Sequence, residues 1–144
     1  MKNAIIIPNT LKQKSVDFAK IAQDFLTQKG YKATICSNTD TLPDDACVAV
    51  VLGGDGTILR ASKRLYGKDT PILGINFGHL GYLSEVGCEN AIDGLEALTN
   101  GEYIIEKRLM IEGEVIRNGE RVLEFVSLNE ASIYRSTLLH ALKI

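Results

Sequence analysis

Gly53-Gly54-Asp55-Gly56-Thr57 is the segment whose residue types point most directly to chemistry. It follows an apolar run, Cys47 to Leu52, and precedes a helix-like stretch that starts at Ile58. Glycines lack a Cβ, so anionic oxygens can approach their backbone amides closely. A helix starting just beyond adds oriented N–H groups and a dipole that favours an anion. Thr57 is placed to cap that helix or to hydrogen-bond a phosphate. Asp55 does not suit a pure anion cradle, because a carboxylate repels phosphates. It fits if it accepts a proton, as general base for a hydroxyl nucleophile, or if it meets a cation such as magnesium. The plain alternative is an Asp-Gly turn joining strand to helix. The position at the carboxyl end of a buried strand, where open α/β sheets bind ligands, favours the functional reading.

Two more segments carry polar or aromatic groups at strand ends. Gly74-Ile75-Asn76-Phe77-Gly78-His79-Leu80-Gly81-Tyr82-Leu83 has three glycines in eight residues, which allows a tight backbone beside a ligand. Tyr82 is either a flat face for stacking a base or a core aromatic at the domain junction. His79 is either a ligand contact or a hydrogen-bonded loop residue. Ser127-Leu128-Asn129-Glu130 offers donors and acceptors: Asn129 suits a base edge, and Glu130 suits ribose hydroxyls. Without a ligand these two are a polar pair at a strand end. Arg60, Lys63 and Arg64 read as a solvated helix face, with Arg60 one turn beyond Thr57.

The elements that would position these groups follow from periodicity. Apolar runs predict strands over 4–7, 31–36, 47–52 and 71–75. The run over 47–52 is apolar on both faces, as a central parallel strand requires. Helices are predicted over 11–29, 58–66 and 89–99, and Gly30 marks the end of the first. Residues 37–45 read as a polar loop. This alternation implies an α/β fold, an open parallel sheet flanked by helices, over 1–101. From Leu109 the period becomes two, and Asn118-Gly119 between two such runs predicts a tight hairpin. Arg117 and Glu120 flank that turn and are placed to pair across it. A β-rich second domain is therefore expected over 102–144. Its roughly forty residues would supply about three antiparallel strands, which are marginal alone. The run over 138–144 stops in mid-strand, so the sequence reads as the incomplete start of that domain.

Composition narrows the class. The net charge of −2 points to neither nucleic acid nor a membrane surface, so an anionic substrate must be held by local groups. No apolar stretch approaches membrane-spanning length. The run at residues 4–7 is too short for a signal peptide. Cys36, Cys47 and Cys88 have no metal-ligand spacing and read as free thiols in a reducing cytosol, which places the protein in the cytoplasm. No residue is assigned as a metal ligand.

The glycine pentapeptide resembles the motif shared by NAD kinases, by diacylglycerol and sphingosine kinases and, in a near variant, by 6-phosphofructokinases. The Gly74–Leu83 and Leu128–Glu130 segments, in this order, resemble the NAD kinase family more narrowly. Tyr82 stands where a Phe is commoner in that family, and Ser127 where an Ala is. Glu106-Lys107-Arg108-Leu109-Met110 is similar to the family's entry into its second domain. The resemblance implies a Rossmann-like first domain and transfer of the γ-phosphate of ATP, carried with Mg²⁺ or another divalent cation, to the 2′-hydroxyl of the adenosine ribose of NAD. It implies Asp55 as the base, Gly53, Gly54, Gly56 and Thr57 at the phosphates, His79 and Tyr82 beside the substrate, and Asn129 and Glu130 at the adenosine. It also implies a homo-oligomer and a later Pro-Thr-Gly-Ser-Thr-Ala-type loop that this sequence does not contain, so little turnover is expected of this chain alone. A lipid or sugar kinase of the same superfamily, and a non-catalytic NAD or NADP sensor, are the competing readings.

Overall fold

The computed structural model describes residues 2–37, 39–78 and 81–132. Contacts divide the chain into two compact units, Met1–Glu106 and Lys107–Ile144. The division falls in the stretch 102–110, which is neither helix nor strand.

The first unit is a five-stranded sheet with helices on both faces. Its elements are β1 (Lys2–Pro8), α1 (Gln13–Gln28), β2 (Tyr31–Ile35), β3 (Ala46–Leu52), α2 (Asp55–Arg64), β4 (Ile72–Asn76), β5 (Val86–Gly87), a 3-10 turn at Cys88–Asn90, and α3 (Ala91–Asn100). The strand order is β2-β1-β3-β4-β5 and every pairing is parallel. Alternation along the strands divides the core. Ala4, Ile6, Val48, Val50, Leu52 and Ile75 pack against α1 and α3 through Ala19, Ala22, Leu26, Ala91 and Leu95. Ile5, Ile7, Ala49 and Val51 face the other way, onto Ile58 and Ala61 of α2 and onto Cys36, Leu42 and Leu65. Burial on both faces is why β1 and β3 are almost wholly apolar.

The chain reverses its direction of growth across the sheet between β1 and β3, which are neighbours with Pro8 opposite Leu52. This is the switch point, whose carboxyl-end crevice is the usual ligand site of such sheets. A buried serine ties it together. Ser15 Oγ donates to the Leu52 carbonyl at 2.7 Å and accepts the Asn9 N–H at 2.9 Å, while that N–H also reaches the Leu52 carbonyl at 2.8 Å.

Helix α2 begins at Asp55, not at Ile58 as the sequence suggests. Gly54 is its N-cap, and the Thr57 N–H bonds the Gly54 carbonyl at 2.8 Å. Glycine is a poor helix former in a helix interior, but an N-cap is outside that interior. Asp55 in the first turn also meets the positive end of the helix dipole. The two-residue β5, absent from the sequence reading, is too short to show a period.

The second unit contains one antiparallel hairpin among the described residues, β6 (Ile111–Arg117) and β7 (Glu120–Ser127). Asn118 and Gly119 turn it with φ of 53° and 81°, the left-handed pair that a two-residue turn requires. Arg117 and Glu120 face each other in the ladder, and Arg121 pairs with Glu124 and, at 4.0 Å, with Glu114. Ile111, Val115, Leu123 and Phe125 share one face. The rest of the predicted sheet, including 138–144, lies outside the described residues.

No helix among the described residues is long and apolar enough to cross a membrane. The three cysteines are unbridged. Burial pushes the Cys36 thiol up from its ordinary range; the nearby Asp40 adds to this and Arg64 opposes it. Asp40 itself is held below the ordinary carboxylate range, chiefly because it accepts the Ser37 N–H.

Two predictions follow from this packing. Ser15→Ala should lower stability by about 1–2 kcal/mol, the scale of a buried hydrogen bond, read as a lower denaturant midpoint at unchanged slope. A disulfide reagent at neutral pH should modify exposed Cys47 and Cys88 quickly and Cys36 only on unfolding, as mapped by mass spectrometry.

Candidate active site

Three connections meet at the carboxyl edge of the sheet: Asn9–Lys12 after β1, Gly53–Thr57 after β3, and Asn76–Leu83 after β4. Gly53 is buried and prolongs the ladder, its N–H bonding the Ile75 carbonyl at 2.9 Å. A Cβ there would strike the side chain of Thr57. Thr57 is the third helical residue and is buried over that glycine, so it does not cap α2, which has no side-chain cap. Gly56 is exposed on the first turn. The Thr57 amide is taken by the Gly54 carbonyl, whereas the amides of Asp55 and Gly56 have no carbonyl behind them within the helix. The exposed Arg60 folds back so that its Nη1 lies 4.0 Å from where a Gly56 Cβ would stand.

Asp55 is held by the backbone of the next loop. Its Oδ2 accepts the Tyr82 N–H at 2.9 Å and its Oδ1 accepts the Leu83 N–H at 3.1 Å. A Cβ on Gly81 would sit on the carboxylate itself, so the loop can close only with glycine there. Each carboxylate oxygen carries two lone pairs, so one remains on each for a further partner. Asp55 is half-buried.

Asn76 supports the same loop from beneath. It is buried, its Oδ1 accepts the Gly78 N–H at 2.8 Å, and its Nδ2 donates to Ser84 Oγ at 3.1 Å. The same Oδ1 is the atom nearest to a Cβ built on Gly54, at 3.9 Å. The two glycine segments are therefore joined by the Asp55 carboxylate, and Asn76 lies beside Gly54.

The sequence-derived residues divide clearly. Gly53, Gly54, Asp55, Gly56, Thr57 and the backbone of Tyr82 are brought together. Tyr82 is 96% exposed, and its backbone N–H rather than its ring meets Asp55. His79 lies outside the described residues. Asn129 and Glu130 belong to the second unit, in a turn after β7 where Ser127 Oγ donates to the Glu130 carbonyl at 2.8 Å and accepts the Asn129 N–H at 3.3 Å. Both are exposed. Sequence reasoning passed over the supporting role of Asn76, although the residue stands in a quoted segment. It also passed over Lys12, whose surroundings look like an ordinary polar helix start.

Comparison with known proteins decides the family. Residues 37–103 match the model of the ATP-NAD kinase N-terminal domain. The NAD kinase of Caldanaerobacter subterraneus subsp. tengcongensis is 32% identical across 100% of this chain and 56% of its own length. That of Lachnospira eligens is 34% identical over 96% of this chain and 52% of its own length. The chain belongs to the NAD kinase family. It spans about half the length of the curated relatives it matches. The fold is shared with solved structures of low identity. One is an NAD kinase from Archaeoglobus fulgidus in complex with ATP, with a TM-score of 0.56 and 23% identity over 79% of this chain and 41% of that one. Another is yeast NADH kinase complexed with NADH, with a TM-score of 0.61 and 15% identity over 88% of this chain and 46% of that one.

Within an NAD kinase family member, the contact between Asp55 and the Gly81–Leu83 backbone is open to direct test. Gly81→Ala should force the carboxylate off the Tyr82 and Leu83 amides, and Asp55→Ala should remove their acceptor. In both variants hydrogen exchange at these two amides should accelerate sharply while β3 amides stay protected. Unchanged exchange would show that the amides are protected by something else.

Proposed function

We propose that this chain supplies the Asp55 side of an NAD kinase active site. In this reading the reaction joins the adenosine-ribose 2′-oxygen of NAD to the γ-phosphorus of ATP. The observation that carries it is the Asp55 carboxylate, fixed by two amides at a helix N-terminus beside an open glycine turn, with a lone pair to spare on each oxygen.

The ATP phosphates lie over the first turn of α2, at Gly53, Gly54, Gly56 and Thr57. The amides of Gly54, Asp55 and Gly56 and the dipole of α2 favour their charge there, since the Gly53 and Thr57 N–H groups are already bonded to Ile75 and Gly54. Magnesium would arrive on ATP, held by the substrate phosphates, which leaves Asp55 free as the base. The Tyr82 ring stacks on a base of NAD. Asn129 and Glu130 hold the adenosine. Asp55 takes the proton from the 2′-hydroxyl as that oxygen attacks; the bond from the γ-phosphorus to its bridging oxygen breaks, and ADP leaves. Because the transition state is loose, positioning and charge neutralisation supply most of the acceleration. The complete protein is a cytoplasmic homo-oligomer in this reading. The Gly74–Leu83 and Leu128–Glu130 segments favour NAD over a lipid or sugar acceptor.

The test measures NADP formed from NAD, ATP and a magnesium salt, with equilibrium binding of NAD beside it. In the full-length protein, Asp55→Asn should retain NAD binding and lose about 10²–10⁴-fold in turnover relative to the unaltered full-length protein. Near-normal turnover in that variant removes Asp55 as the base. Absence of NADP from the unaltered chain, with NAD still bound, would confine this segment to binding.

A further inference from the structure

Lys12 is the last residue before α1, at the carboxyl end of β1. Its side chain crosses the sheet edge to the loop after β4, where Nζ donates to the Phe77 carbonyl at 3.4 Å. That bond is long and uses one of three ammonium donors. Among the described residues no carboxylate lies within ion-pair distance of Lys12, although the amine is part-buried. A cation drawn off the surface is ordinarily paired.

Its neighbours show what it faces. A Cβ on Gly78 would collide with Lys12 Nζ, so the absence of a side chain at 78 is what admits the amine. The Gly78 N–H is bonded to Asn76 Oδ1, the same atom that lies closest to Gly54 at the N-cap of α2. Lys12, Gly78, Asn76 and Gly54 thus form a chain of neighbours that leads from the ammonium to the N-cap of α2. A lysine whose stem merely packs while its head seeks water would have no need of a loop carbonyl 65 residues away.

We infer that Lys12 binds the polyphosphate of the donor nucleotide, holding its anionic chain across the carboxyl ends of β1, β3 and β4. The inference rests on the kinase reading and adds to it a point charge from a third connection. Lysine is suited to this task because its compact ammonium meets phosphate oxygens without the fixed fork of arginine.

The experiment titrates the 144-residue chain with inorganic tripolyphosphate and with ATP by calorimetry, checking each variant's fold by circular dichroism. Lys12→Gln should weaken both ligands about tenfold, the scale of one hydrogen bond to a charged group, and Lys12→Arg should keep most of the affinity. Gly78 has no left-handed φ, so Gly78→Ala is permitted by the backbone and should displace the amine. It should weaken binding when Lys12 is present and add nothing in the Lys12→Gln background, a coupling that a general structural defect would not give. Equal affinity in Lys12→Gln, or additive losses in the double variant, overturns the role of Lys12 and leaves the kinase reading standing. Failure of the unaltered chain to bind either ligand overturns both.

Discussion

The Asp55 carboxylate holds two backbone amides of the Gly81–Leu83 loop, and the geometry of the sheet edge depends on that contact. It fixes the distance between the connections after β3 and β4, both of which are otherwise rich in glycine. Glycine-rich backbone has many accessible conformations, and ordering it is costly in entropy. A bidentate contact to a charged acceptor offsets that cost more than neutral bonds would. It also explains two features that otherwise look unrelated, the glycine at position 81 and the outward aim of the Tyr82 ring. The loop's backbone turns inward to the carboxylate, and its side chain is left facing away.

Beneath the loop, the parallel sheet makes this contact reproducible. β3 and β1 are buried on both faces, so neither slips in register without moving its apolar residues into the wrong layer. Gly53 continues the β3–β4 ladder by bonding Ile75, and Ser15 closes the β1–β3 side at Leu52. The carboxyl edge is therefore rigid where the functional groups leave it. Asp55 gains its direction from a helix whose first turn begins two residues after that ladder bond. Placement of a reactive group on a helix terminus set by a buried strand is more exact than placement on a free loop.

The sequence shows some of this plainly and some of it not at all. The strand over 47–52 is legible because a run with no polar residue has few other destinations in a small soluble domain. The hairpin at Asn118-Gly119 is legible because few dipeptides accept two left-handed residues. The start of α2 is misread because glycines count against a helix in propensity reasoning, whereas an N-cap does not bear that cost. The same misreading makes Thr57 look like a cap when it is a buried residue of the first turn. The contact from Asp55 to residues 82 and 83 leaves almost no trace in the letters, because its donors are backbone amides that every residue but proline possesses. Gly81 is its one visible mark. Lys12 has none, since nothing in Asn9-Thr10-Leu11-Lys12 says that an amine will turn across the sheet toward Phe77.

A carboxylate near phosphates poses an electrostatic difficulty that this arrangement addresses in parts. Two like charges about 4 Å apart repel by about 1 kcal/mol in water and about 4 kcal/mol at the effective dielectric typical of a protein surface. The dipole of α2 acts on Asp55 and on an anion at the same terminus with the same favourable sign, adding about 0.3–1 kcal/mol for each. The two loop amides stabilise the carboxylate's charge without occupying all its lone pairs. What these leave uncompensated is the donor's own charge, for which the kinase reading needs a cation supplied by the protein as well as the one carried by ATP. Lys12 is a part-buried amine at the loop after β4 whose carbonyl contact leaves ammonium donors free. The base and the cation would then both lean on the loop after β4, Asp55 on the Tyr82 and Leu83 amides and Lys12 on the Phe77 carbonyl, so that one stretch of backbone positions the proton acceptor and the phosphate grip.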